Sequence, residues 1–337
     1  MNVLYHLTVL PPQMPEAEAL SQEIEALRQT YAGDLIYLNP NRQAIGRIPR
    51  ICFGFHRLLE IRRREARIAL HHFYNPDPFP FPVLRFLRRP IVYTVSSGLA
   101  ANQPIPAFFR RLAWVTVPDE RSLTQLRAAG IDNSSVVRAG VDISRFSHAP
   151  RPTGDEIRLL MGSAPWTEAQ FASKGVDALL AAARQEPRLH LIFLWRGVLT
   201  NQMVARVQKL GLQKQVTVLN RLVDVNQILA DVHAAIALAD GPGIVKSYPH
   251  SLLDSLAAGK PVLVSRAIPM ADYVAEMGCG EVVEEITTAA ILGSVERLLA
   301  AYPARMAAAQ RVGKKDFTQE AMVESYGRIY RSLTGAD

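Results

Sequence analysis

The stretch Lys246-Ser-Tyr-Pro-His-Ser-Leu-Leu-Asp254-Ser-Leu-Ala-Ala-Gly259-Lys-Pro-Val-Leu-Val-Ser265 says most about the fold. Pro249 suits the first turn of a helix, because the N–H it lacks has no intrahelical partner there. Leu252, Leu253 and Leu256 then share a core-facing side, Gly259 stops the helix, and Pro261–Ser265 reads as a buried strand. The backbone N–H groups of His250, Ser251 and Leu252 point out of the helix start, where the positive dipole end favours an anion. Asp254 follows about one turn on, within reach of a sugar hydroxyl beside a bound phosphate. Taken alone, the stretch is a helix–strand unit with a good start and stop. That plain reading wins, because helix starts are common and phosphate sites rare.

Working outward, the same alternation repeats. Apolar runs at Ile157–Gly162, Leu189–Trp195, Gln215–Leu219 and Ala234–Ala239 read as strands. Helical stretches at Gly175–Arg184, Asn201–Leu210 and Val225–Val232 separate them. Apolar strands alternating with amphipathic helices predict a parallel sheet covered on both faces. The first half repeats the pattern with strands at Val3–Leu10, Leu35–Leu38, Arg67–Phe73, Ile91–Val95 and Trp114–Val117. Its helices fall at Ala17–Tyr31 and Glu120–Ala129. The expected fold class is α/β: two Rossmann-like, doubly wound domains, with ligand binding outside the carboxyl ends of the strands in a cleft between them. The expected division is 1–145, 146–317 and a C-terminal helix, 318–337, packing back toward the first domain.

Composition agrees with this class. The chain has 337 residues, 49% of them hydrophobic, which is enough for two ordinary cores and too apolar for a disordered chain. Cys52 and Cys279 lie far apart and suggest neither a disulfide framework nor a cysteine metal site. No apolar run reaches the length of a membrane span, and Met1–Leu10 lacks the features of a signal peptide. A cytoplasmic location is expected, with possible attachment to the inner face of a membrane. The net charge of +7 is uneven: residues 1–150 hold 18 Arg and no Lys against 12 Asp and Glu, a net of +6. Such a localised excess points to an anionic partner: a membrane surface, a phosphorylated lipid or a nucleic acid. No nucleic-acid-binding signature accompanies it, so nucleic acid is not expected.

A second basic element follows the first strand of the second half. Ser163–Ser173 reads as a polar loop, and Lys174-Gly175 opens the next helix, from where a Lys can reach a phosphate at the mouth of the sheet. For a single Lys, a solvated surface position is the plainer reading.

In order along the chain stand Gly140-Val-Asp142 with Arg145-Phe146, Lys174-Gly-Val-Asp-Ala-Leu-Leu180, Val216-Thr-Val-Leu219 and Ile228-Leu-Ala-Asp231. They continue with Pro249–Asp254, Ala258-Gly-Lys-Pro-Val262, and Gly280 before the last strand. In their order and spacing these pieces resemble the retaining GT-B glycosyltransferases of family four, most strongly over 136–334. The resemblance implies transfer of a sugar from a nucleotide-diphosphate sugar to an acceptor that is a glycan, a lipid-linked species or a small molecule, with no metal or other cofactor. It implies that Lys174 and the amides of His250 and Ser251 hold the donor diphosphate, and that Asp254, one methylene shorter than the family's Glu, holds the ribose. The candidate donor-side residues are Ser163, Lys174, Arg196, Arg221, Tyr248, His250, Ser251, Leu252 and Asp254. Ser96 and Ser97 are the acceptor-side candidates, and Lys174 and Lys246 the candidate catalytic groups.

The chain departs from the family at four places. Lys246 stands for its first Glu, Ser163 for its diphosphate-binding Arg and Ser96 for the His of its His-Gly pair, and Leu10-Pro-Pro-Gln13 replaces its Gly-Gly loop. Lys246 can supply the positive charge lost at Ser163, since charge-assisted contacts to phosphate are strong. Against the enzyme stands a rival of another class, an inactive glycosyltransferase-like binding subunit, favoured by Ser96, Ser163 and Lys246. A sugar-nucleotide epimerase lacks its carboxylate here.

In the first half, His56–Ile68 reads as a basic helix with Glu60 and Arg64 paired, a solvated face. Phe79–Arg89 and Phe108–Trp114 mix aromatics with Arg, which suits equally an anionic membrane interface or core aromatics flanked by surface Arg. His71-His72 reads as a strand end, not a metal site.

Overall fold

The computed structural model describes residues 1–12, 18–41, 48–151, 154–195 and 197–335. They form two compact units, Met1–Gly140 with Gln319–Asp337, and Val141–Thr318.

In unit 1, every residue of β1 (Val3–Leu7) is buried. A strand apolar on both faces needs cover on both. Val3, Tyr5 and Leu7 enter one core cluster and Leu4 the opposite one, as the two-residue pleat requires. The chain continues through α1 (Ala19–Thr30), β2 (Leu35–Tyr37), α2 (Leu58–Arg64), β3 (Leu70–Asn75), β4 (Ile91–Val95), β5 (Trp114–Val117), α3 (Glu120–Ala128) and β6 (Ser134–Val136). The sheet order is β2-β1-β3-β4-β5-β6, with parallel pairings throughout.

Two expectations shift here. The strand read at Arg67–Phe73 lies at Leu70–Asn75, so His71 and His72 are interior strand residues. Both are buried and satisfied: His71 Nε2 lies 3.1 Å from Glu65 Oε1, and His72 Nε2 lies 2.8 Å from Thr94 Oγ1. The helix read at His56–Ile68 narrows to α2 between two 3-10 turns, Phe55–Arg57 and Glu65–Arg67, because Glu65 turns inward to His71 and to the amide of Arg88 at 2.6 Å. The Glu60–Arg64 pair forms at 2.7 Å.

Unit 2 runs β7 (Ile157–Met161), α4 (Gln170–Ser173), α5 (Val176–Gln185), β8 (Leu189–Leu194), α6 (Thr200–Lys209), β9 (Val216–Leu219), α7 (Val225–Ala230) and β10 (Ala234–Ala237). It continues through α8 (His250–Ala257), β11 (Val262–Ser265), α9 (Met270–Met277), β12 (Gly280–Val283), α10 (Thr288–Ala300) and α11 (Tyr302–Gly313). Its order is β12-β11-β10-β7-β8-β9, again parallel. From β7 the chain winds outward through β8 and β9, then returns to build β10, β11 and β12 on the other side. The point of reversal lies between β7 and β10, and the loops leaving the carboxyl ends of those two strands open a crevice for a ligand.

The last helix, α12 (Gln319–Thr334), belongs to unit 1. Its Met322, Tyr326, Ile329 and Tyr330 join the cluster of Val3, Tyr5 and Leu7, and Tyr330 Oη meets His72 Nδ1 at 2.5 Å.

Lys260, just before β11, is fully buried. Its ammonium donates to the carbonyls of Val232 at 2.9 Å and Ala230 at 3.4 Å, and burial pushes its pKa down to about 8.

Candidate donor-binding site

The loops after β7 and β10 carry most of the candidate residues of unit 2. Gly162 directly follows β7, and a Cβ there would stand 2.7 Å from Cβ of Ser251. Only glycine lets the strand end approach the start of α8 so closely. Ser163 therefore follows directly from a residue packed against Ser251. The segment read as loop, Ser163–Ser173, closes with the single turn of α4, because Phe171 is buried against Trp195, their ring centroids 5.8 Å apart.

That turn delivers Lys174. Gly175 adopts φ +68°, and a Cβ on it would strike Leu238, so the chain passes close to the end of β10. The amide of Asp240 donates to the carbonyl of Ser173 at 2.9 Å, tying the β10 loop to the same turn. Lys174 is 4% exposed, and its ammonium donates to the carbonyl of Ala164 at 2.9 Å. Burial lowers its pKa, so the charged form is held at a desolvation cost that an anion would relieve. It is not the solvated surface Lys of the plainer reading.

On the other flank, Pro249 is the residue before α8 and its carbonyl accepts from the amides of Leu252 at 2.9 Å and Leu253 at 3.2 Å. The expectation of three outward amides is thus corrected: that of Leu252 is spent on the Pro249 carbonyl. Helix-start amides have no preceding helical carbonyl, and the dipole there favours negative charge. Lys246 is half-buried in the β10 loop, and Asp254 is half-buried one turn into α8. Tyr248 is buried beside Phe317 and Tyr273, at ring-centroid distances of 5.7 and 6.2 Å, so its ring is a core element. Arg221 is exposed after edge strand β9, two strand spacings or about 10 Å from β7. There it borders a 440 Å³ depression with Arg158, Thr217 and Asp231. Arg196 lies outside the described residues.

In unit 1, Ser96 and Ser97 turn the chain after β4, their amides donating to the carbonyls of Asn75 at 2.8 Å and Pro76 at 3.2 Å. Beside them is a polar group that sequence reading missed. Arg50 donates to both carboxylate oxygens of Asp77, at 2.8 and 2.7 Å, and Asn75 Nδ2 donates to Asp77 Oδ1 at 2.6 Å. Arg50 is 27 residues from Asp77, and no local spacing links them. Trp166, 65% exposed in the loop between Ser163 and Lys174, was likewise unread.

With this geometry in place, the chain can be set beside known proteins. Residues 169–315 match the model of the family described as Glycosyl transferases group 1. Over 157 residues the chain is 30% identical to the lipopolysaccharide glucosyltransferase WaaG of Escherichia coli (strain K12), a match spanning 44% of this chain and 40% of that protein. The structure superposes on Alr3699/HepE of Anabaena, solved in complex with UDP, with TM-score 0.73 at 14% identity over 99% of this chain and 100% of that one. It also superposes on a sucrose-phosphate synthase from Thermosynechococcus elongatus, with TM-score 0.73 at 15% identity over all of both chains. The class is therefore GT-B, two Rossmann-like parallel-sheet units. Within that class the chain resembles the glycosyltransferases of family four, and the matched segment covers most of unit 2.

Proposed function

We propose that this protein is a glycosyltransferase that moves a sugar from a nucleotide-diphosphate sugar to an acceptor, with retention and without a metal. One observation carries the reading: Gly162 seats the end of β7 against Ser251 while the buried ammonium of Lys174 donates to Ala164 two residues further on. A cation and a helix start thus flank one loop at the reversal point of the sheet. That is the arrangement a diphosphate needs, and the neighbour from Anabaena is described with UDP bound.

In this reading unit 2 holds the donor and unit 1 the acceptor. The leaving diphosphate carries the chemistry: its oxygens take the proton of the attacking hydroxyl, so no protein nucleophile is required. Lys174, the amides of His250 and Ser251, and Lys246 stabilise the charge growing on the leaving phosphate, and Asp254 orients the ribose. Catalysis is then positioning plus fixed charge.

The substitutions at Ser96, Ser163 and Lys246 favour a second reading, a nucleotide-binding partner without turnover. A thermal-shift panel of UDP, GDP, ADP and TDP tests the site, since a ligand at about 100 times its Kd adds about 2.7 kcal/mol. Release of nucleoside diphosphate from the matching nucleotide sugar then separates the readings. Binding with release supports the enzyme, binding without release supports the partner, and no binding to a folded chain removes both.

A further inference from the structure

We infer that unit 1 carries a docking surface for anionic lipid bilayers, built from the 3-10 turns and helix at Arg50–Arg64 and the 3-10 turn at Pro82–Phe86. The first observation is apolar. Ile51, Phe55 and Leu59 are 56%, 39% and 76% exposed, the last two one turn apart on the run of 3-10 turn and helix that follows Gly54. Phe86, 53% exposed, joins them across the fold, its ring 5.8 Å from that of Phe55. Scattered exposed apolar residues need no explanation, but four large ones on two adjoining segments form a patch.

The second observation is charge. Residues 50–89 hold nine of the 18 Arg of residues 1–150 but three of the 12 acidic residues, Glu60, Glu65 and Asp77. The remainder of residues 1–150 therefore balances at nine Arg and nine acids, and the whole excess of +6 belongs to these 40 residues. Those three carboxylates are taken up by Arg50, Arg57, Arg62 and Arg64. Among the described residues, Arg63, Arg85 and Arg88 have no carboxylate partner and are exposed. Arg63 follows Leu59 by one turn of α2, and Arg85 adjoins Phe86 in the chain.

Aliphatic and aromatic side chains bordered by uncompensated arginines fit the boundary between headgroups and acyl chains of an anionic leaflet. A second copy of the chain would bring an equal positive charge to the same place and be repelled. A nucleic acid would use the arginines but leave Leu59 and Phe86 in water.

Cys52 gives a direct readout. It is exposed within this surface, whereas Cys279, the other cysteine, is buried. The intact protein, labelled at Cys52 with an environment-sensitive fluorophore, is titrated with phosphatidylcholine vesicles and with phosphatidylcholine–phosphatidylglycerol vesicles. The expected result is a blue shift and co-sedimentation with the anionic vesicles alone, weakening as salt rises. The triple variant Arg63→Gln/Arg85→Gln/Arg88→Gln should lose about 100-fold in vesicle affinity, at roughly fivefold per arginine. Leu59→Ser/Phe86→Ser should keep the salt dependence of any residual binding and lose the blue shift. Nucleotide binding, measured in parallel, should be unchanged in both variants, so failure here is separable from failure of the donor site. Three results would overturn the inference: no preference for anionic vesicles, binding indifferent to Leu59→Ser/Phe86→Ser, or self-association abolished by the same substitutions.

Discussion

Replacing Lys174 by Met separates a ligand-binding role from a structural one. Met keeps the length and most of the volume of the side chain but removes the ammonium. In the ligand-free protein two effects oppose each other. The hydrogen bond to the Ala164 carbonyl is lost, which for a charged donor is worth about 1.5–3 kcal/mol. The desolvation that lowers the pKa of Lys174 is relieved, which offsets part of that loss. The net loss of stability should therefore stay below the hydrogen-bond contribution, under about 3 kcal/mol.

Donor binding has no such compensation. A charge-assisted hydrogen bond to phosphate contributes about 1.5–3 kcal/mol, so the Kd for the nucleoside diphosphate should rise about 10- to 150-fold. Calorimetric titration of wild type and Lys174→Met with the nucleotide giving the largest thermal shift reads this, and thermal melting without ligand reads the other half. A variant that binds nucleotide like wild type would falsify the assignment. A variant melting well below wild type, with weak binding explained by partial unfolding, would make Lys174 a structural pin of the 163–169 loop.

The same geometry sets three further outcomes. Gly162→Ala drives a methyl group into Ser251 and should destabilise unit 2 by about 1–3 kcal/mol while weakening nucleotide binding, read by denaturant unfolding and titration. Trp166 is 65% exposed beside the candidate diphosphate loop, whereas Trp195 is buried; nucleotide should change the tryptophan emission, and Trp166→Phe should remove that response while binding persists. Lys260 has a pKa of about 8 in the fold against 10.5 in the unfolded chain. Between those values the unfolded chain holds a proton that the folded chain has released. Its contribution to stability therefore rises with pH across that window, by up to about 3 kcal/mol, and Lys260→Met should flatten the wild-type pH–stability curve there.

The sheet of unit 2 was legible because its strands are mostly apolar runs, and Ile157–Met161, Val216–Leu219 and Val262–Ser265 fall within the runs read from sequence. In unit 1 the signal is diluted by polar residues whose partners lie outside their own strand. His71, His72 and Asn75 look like a strand fading into loop, yet they are buried because Glu65, Thr94 and Asp77 satisfy them. The edge strand β6, Ser134–Val136, has almost no apolar signature and is held by pairing with Val115–Val117. The site divides the same way. Lys174-Gly175 and Pro249-His250 stand out as helix starts through local backbone chemistry, but locally each favours the plain reading, and the resemblance is what makes them site candidates. The Arg50–Asp77–Asn75 group depends on contacts across 25 residues or more, and the core role of the Tyr248 ring depends on Phe317.

The exchange at Ser163 and Lys246 takes on a physical meaning once β7 and β10 are seen to be paired neighbours, with Leu159 opposite Ala234 and Leu160 opposite Ala235. The loops that carry Ser163 and Lys246 leave these two strands at the same edge of the sheet, about 4.8 Å apart at their roots. Moving a cation from one loop to the other keeps it on the loops at the same mouth of the sheet, while Lys174 stays fixed by its buried bond to Ala164. The two ends are not chemically equivalent, however. An arginine presents a planar fork of donors, whereas a lysine is a point charge with three rotatable donors and no acceptor. Lys246 can therefore neutralise phosphate, but unlike a glutamate it cannot accept hydrogen bonds from sugar hydroxyls. If a diphosphate binds here as proposed, the exchange would keep its charge balance and change the recognition of the donor sugar.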